Sequence, residues 1–134
     1  MNRGEVYRFN YLWGHEAARG RTGSQKIRRV CLMMQIGDWL YLFPFTSLEP
    51  QPEVRGERLY VEIPEIEKRR VGLSLEKPSY LVLDDYNKVR SDELYDFESL
   101  TPSGSLSLRF MEEVGRRFQK AVREKRAIRG RTRR

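Results

Sequence analysis

The residues best suited to chemistry lie near the N-terminus. Between Trp13 and Arg29 stand His15, Glu16, Arg19, Arg21, Lys26, Arg28 and Arg29, flanked by the aromatic rings of Tyr11 and Trp13. Cations interleaved with aromatics suit single-stranded nucleic acid, since cations meet phosphates and rings stack on bases. A solvated, charge-rich surface loop would have the same composition. His15 is the single imidazole of the chain, and imidazole is the side chain whose ordinary pKa lies close to neutral pH. Two histidines sharing acid and base roles are therefore excluded within one subunit.

With one Cys and one His, the chain holds neither a zinc cluster nor a disulfide framework. Cys31 sits in the apolar run VCLMM and reads as a small core residue. Asp84 and Asp85 resemble a metal pair, but neighbours on a strand point to opposite faces, so they read as a turn signal. No metal and no cofactor is expected. No segment approaches the roughly 20 apolar residues of a membrane helix, and the start MNRGEVYRF lacks a secretory core. The expectation is a soluble, cytoplasmic protein without membrane attachment.

The chain has 134 residues, 26 Lys+Arg and 19 Asp+Glu, for a net charge of +7. The excess is confined to the ends. Residues 1–29 carry 7 basic and 2 acidic side chains, residues 30–108 carry 8 and 14, and residues 109–134 carry 11 and 3. Such a distribution suggests an anionic partner approached at either end rather than in the middle.

These residues need a scaffold. EVYRFNY (5–11) alternates with period two and reads as a strand. IRRVCLMMQI (27–36) and WLYLFPF (39–45) are apolar strands joined at Gly37-Asp38, a two-residue hairpin turn. Pro44 suggests an edge or a bulge. RLYVEI (58–63) places Leu59, Val61 and Ile63 on one face and Arg58, Tyr60 and Glu62 on the other. YLVLD (80–84) and NKV (87–89) extend the sheet, residues 65–72 are simply charged, and SDELYDFE (91–98) has room for one helical turn. Met111, Val114, Phe118 and Val122 recur at helical spacing after Ser107, a good N-cap. Five or more short strands with one C-terminal helix favour a small antiparallel barrel or curled sheet. The domain spans residues 1–122, and 123–134 reads as a basic, flexible tail.

Taken in order, several segments resemble the MazF/PemK family of toxin endoribonucleases. RGEVYRF (3–9) is similar to its G-[DE]-[IV]-Y opening. GSQKIRRVCLMMQ (23–35) is similar to its Gly-rich segment, Arg and apolar strand. LFPFTS (42–47) resembles its Pro-x-Thr-Ser strand end, and VGLSLEKPSYLVLDDYNKV (71–89) its Gly-Leu, Ser-containing strand and acidic turn. SDELYD and LTPSGSLS then lead into the helix in the family manner. A subgroup with a longer first loop bearing Trp, Glu and Gly is closer still, matching WGHEAARGRTGSQKIR.

The resemblance implies a mainly β, SH3-like barrel of the CcdB/MazF/PemK type with a C-terminal α-helix. It also implies a homodimer, a cognate antitoxin, and metal-independent cleavage of single-stranded RNA. Arg28 matches the catalytic Arg and Thr46 the catalytic Thr. In RNA, the 2′-OH attacks the adjacent phosphate, and an Arg fork binds two of the oxygens where charge gathers. Proton transfer needs an acid and a base, with Arg28 as acid and Glu16 or His15 as base. Trp13, Arg19, Arg21, Lys26, Arg29 and Ser47 are the candidate RNA contacts. One departure stands out: Arg29 occupies the position of the family's Pro. An alignment shifted by one would make Arg29 catalytic, but Arg28 lets Val30–Met34 overlay the apolar strand. Two other functions fit the same barrel without the Arg–Thr pair: a non-catalytic nucleic-acid-binding module, and a CcdB-like toxin that poisons gyrase.

Overall fold

A computed structural model of the protein describes residues 1–13, 26–52, 56–124 and 126–133. It is mainly β: a curled antiparallel half-barrel sheet with a helix near the C-terminus. The strands are β1 (Glu5–Asn10), β2 (Ile27–Ile36), β3 (Trp39–Thr46), β4 (Tyr60–Glu62), β5 (Tyr80–Val82), β6 (Asp85–Arg90), β7 (Gly104–Ser105) and β8 (Arg129–Thr132). The helices are α1 (Glu65–Val71) and α2 (Leu108–Arg123). The sheet runs β4-β5-β3-β2-β1-β7, and β6 pairs with β3 and carries β8 on its far side.

The expected β2–β3 hairpin forms at Gly37-Asp38, where Ile36 pairs with Trp39 and Gly37 takes φ +59°. That left-handed conformation is one glycine adopts without strain. A bulge interrupts β2 between Leu32 and Met34. β3 pairs with β6 over Trp39–Leu42 and with β5 over Phe45–Thr46. Pro44 falls between these two ladders, where its missing N–H interrupts neither.

Strict alternation gives the sheet two apolar faces. On one, Val6, Cys31, Phe43, Phe45, Val61 and Leu81 pack with Met111 and Val114 of α2. On the other, Tyr7, Phe9, Val30, Leu32, Leu42 and Val82 pack with Phe97. The Phe97 ring meets Phe9 and Tyr7 edge-on, at centroid distances of 4.9 and 5.5 Å. That packing follows aromatic quadrupoles and closes this face. Residues 91–98 form turns that bring Phe97 there, rather than a helix.

Helix α2 begins as expected: the Ser107 hydroxyl accepts from Phe110 N–H at 3.1 Å. Met111 and Val114 are buried, Phe118 packs against the core and Val122 is exposed. Gly115 leaves room for the Arg3 guanidinium, which donates to Met111 O at 3.0 Å. Cys31 is buried, its Sγ 3.9 Å from Met111 Sδ.

Two segments differ from expectation. Residues 65–72 contain helix α1, ended by Gly72 at φ +71°. The segment 123–134, expected as a flexible basic tail, continues α2 to Arg123 and then forms β8, parallel to β6 from Asp85↔Arg129 to Lys88↔Thr132. Buried carboxylates explain β8. Arg133, 7% exposed, approaches Asp96 Oδ1 at 3.3 Å, and its N–H donates to Lys88 O at 2.8 Å. Gly130 lies under the Tyr86 ring so closely that a Cβ would sit 2.3 Å from it. Composition describes the segment as solvated charge, whereas long-range pairing docks it.

Asp84 and Asp85 are both buried and do not share a ligand. Asp84 accepts from Arg58 Nε and Nη2, each at 3.0 Å, and from Leu59 N–H at 2.9 Å. Asp85 accepts from the Tyr11 hydroxyl, whose pKa is pushed up by burial and by that carboxylate. Among the described residues, no three His, Cys, Asp or Glu cluster as a metal site, and no helix is long and apolar enough to cross a membrane.

Candidate active site

The site is built by strand register. In the β1–β2 ladder Phe9 faces Arg28 and Arg8 faces Arg29. In the β2–β3 ladder Val30 faces Pro44. That ladder ends there, and Arg28 and Thr46, two residues beyond it on either strand, both line the cleft that opens at its end. Arg29 points to the other face with Cys31. The register thus separates the two adjacent arginines that composition leaves equivalent.

Both arginines reach one open cleft of about 660 Å³ at the end of the hairpin. Its polar lining comes from Lys26, Arg28 and Arg29 of β2 and its approach, Thr46 and Ser47 at the end of β3, and Ser74, Lys77 and Ser79 of the loop after α1. No carboxylate lines it among the described residues. Four cations converging without an acid make a receptor for an anion. The hydroxyls among them suit a phosphate, which accepts from both kinds of donor.

The two arginines have different surroundings. Arg29 donates from Nη1 to Gly72 O at 2.6 Å and lies 3.4 Å from Val71 O. These carbonyls end α1, where a cation meets unpaired acceptors and the negative end of the helix dipole. Arg29 is therefore tied to the scaffold. The Arg28 guanidinium lies over the Trp13 ring, 5.3 Å from its centroid. Such a ring holds a guanidinium by its face. Thr46 is half-buried; its hydroxyl accepts from Leu48 N–H at 3.2 Å and donates to Leu48 O at 3.3 Å, which fixes its orientation at the strand end.

The opposite wall is anchored by a residue the sequence did not single out. Lys68 is buried in α1, and its Nζ donates to Lys77 O at 2.5 Å. Leu73 N–H donates to Lys68 O at 3.0 Å and Ser79 O accepts from Ile63 N–H at 2.8 Å. These bonds pin both ends of the 73–79 loop, so Lys77, Ser74 and Ser79 face the hairpin across the cleft. The available signal was a lysine before a proline in EKPS, between Gly72 and a strand.

Of the candidate residues, Arg28, Thr46, Lys26, Arg29 and Ser47 come together, and Trp13 supports Arg28 from behind. His15, Glu16, Arg19 and Arg21 lie outside the described residues. A larger groove of about 910 Å³ lies elsewhere, against α2, lined by Met33, Met34 and Phe118. It holds two arginines, Arg3 and Arg123, on a largely apolar lining, where the cleft gathers four cations with hydroxyls. The described side chains of the cleft offer hydroxyls and cations rather than ligands for a divalent metal.

Compared with known proteins, the sequence matches no family model and no curated protein.

Proposed function

We propose that the protein is a metal-independent endoribonuclease that cuts single-stranded RNA, built on an SH3-like barrel of the CcdB/MazF/PemK type. The observation that carries this reading is the cleft that brings Arg28 and Thr46 together with Lys26, Arg29 and Lys77, and with no carboxylate among the described residues that line it. The 2′-OH attacks the neighbouring phosphorus: the 2′-O–P bond forms as the P–O5′ bond breaks. The 2′ proton leaves to a base, and the departing 5′ oxygen takes a proton from an acid. Arg28 binds two non-bridging oxygens as a fork and supplies the proton to the leaving oxygen. Thr46 donates its hydroxyl to the same phosphate. Glu16 or His15 of the 14–25 segment takes the 2′ proton. Arg29, bound at the end of α1, contributes field rather than direct contact.

The reading brings with it a homodimer, a cognate antitoxin and a growth-inhibiting role. Its test uses mixed-sequence single-stranded RNA in excess EDTA, with the wild-type protein beside Arg28→Ala and Thr46→Ala. Cleavage by the wild type and a loss of at least about 100-fold in each variant is expected for groups acting on the transition state. EDTA-sensitive cleavage, or cleavage that survives both substitutions, would overturn it. RNA that binds in a salt-sensitive manner but stays intact would favour a non-catalytic binding module.

A further inference from the structure

We propose that Tyr80 and Tyr60 form a base-stacking subsite beside the Arg28–Thr46 centre; this rests on the reading of that centre as an RNA site. The register continues across the sheet. Thr46 faces Tyr80 in the β3–β5 ladder, and Tyr80 faces Glu62 in the β4–β5 ladder. Thr46, Tyr80 and Glu62 therefore form one row on one face, each a single strand spacing of about 4.8 Å from the next, and Arg28 lines the cleft together with Thr46. Tyr60 lies two residues from Glu62 on the same face. Its ring meets Tyr80 at 5.6 Å between centroids and 86°.

Both rings are half-buried and next to the cleft, and they belong to neither of the two apolar clusters. Every nucleobase has a face to lay on such a ring, whatever its sequence. Charge determines which part of a nucleotide enters. The Tyr60 hydroxyl donates to Glu49 Oε2 at 2.5 Å, and Glu62 stands in the row beside Tyr80. Carboxylates repel phosphate but accept N–H groups from base edges. A base therefore seats at the tyrosines while its phosphate lies at Lys26, Lys77 and Arg28.

A cross-strand tyrosine pair also stabilises a short edge strand, and the test separates the two roles. Single-stranded deoxy-octamers of dA, dC or dT are titrated against an abasic octamer of equal charge, by fluorescence anisotropy. At least one base-bearing octamer should bind about tenfold more tightly than the abasic one. Tyr80→Leu should erase that ratio and Tyr80→Phe should keep it. Equal affinity for all octamers, or a ratio unchanged by Tyr80→Leu, overturns the proposal. If Tyr80→Leu fails to fold, ¹⁹F NMR of 3-fluorotyrosine-labelled wild type decides, with resonances assigned through Tyr80→Phe and Tyr60→Phe. Shifts of both signals with a base-bearing octamer but not the abasic one support the subsite; no shift overturns it. These probes lack a 2′-OH, so the result is independent of whether the protein cuts RNA.

Discussion

Replacing Arg133 with Met tests how firmly the C-terminal strand belongs to the fold. The Arg133 and Asp96 side chains are only 8% and 5% exposed, with Nη2 and Oδ1 at 3.3 Å. Methionine keeps most of the buried stem and removes the charge, leaving the Asp96 carboxylate facing the interior. Breaking one partner of a buried pair costs about 3–5 kcal/mol, because the survivor remains desolvated. The Asp96 backbone carbonyl still accepts from Asn10 N–H at 2.7 Å, so the backbone of this segment stays anchored. The loss therefore lies near 3 kcal/mol, a large share of the 5–15 kcal/mol typical of a domain. For a chain of 134 residues this lowers Tm by roughly 10–15 °C. Asp96→Asn should cost a similar amount, and the double variant Asp96→Asn/Arg133→Met should cost less than the two summed, with a coupling of about 1–3 kcal/mol. Urea unfolding of the four proteins reads all three values. Single losses below about 1 kcal/mol with no coupling are what exposed ion pairs give, and they would refute the docking of β8.

Other outcomes follow from the same contacts. Deleting residues 127–134 removes β8 and Arg133, so it should lower Tm rather than merely weaken RNA binding at low salt; thermal unfolding in the absence of RNA checks this. Burial pushes the Cys31 thiol up to about 12, so it stays protonated at pH 8 and should resist iodoacetamide until the protein unfolds, as mass spectrometry would report. Ser107→Ala removes the N-cap of α2 and a hydroxyl that donates to Glu67 Oε2 at 2.7 Å; chemical unfolding should show a loss of about 1–2 kcal/mol. Gly104→Ala places a Cβ 2.1 Å from Arg70 O at φ +150°, so it should displace β7 from β1 and raise amide exchange at Val6 and Ser105.

Much of the fold can be read from periodicity. Alternation in EVYRFN and RLYVEI, the Gly37-Asp38 turn and Ser107 before an amphipathic stretch each encode local geometry. Helix α1 escapes this reading because it spans two turns, exposes Ile66 and buries Glu67 and Lys68. Its burial serves tertiary contacts to Ser107 and Lys77 that no local pattern announces. Strand β8 escapes for the same reason: RGRT has no apolar alternation, and parallel pairing with distant β6 creates it. The cleft is intermediate. Arg28 and Thr46 stood out through a family resemblance, but their meeting in one cleft depends on the β2–β3 register, which a one-residue slip would destroy. Lys68, Lys77 and the Tyr80 row become visible only when three ladders are followed across the sheet.

The ends left on cut RNA test the central claim most directly. A mixed-sequence RNA and a DNA of the same sequence are incubated with the protein in EDTA, and the product termini are identified by mass spectrometry. Attack by the 2′-OH in the Arg28–Thr46 cleft yields a 2′,3′-cyclic phosphate and a 5′-hydroxyl from RNA, and leaves DNA whole. A 5′-phosphate with a 3′-hydroxyl, or cleavage of the DNA strand, would contradict it.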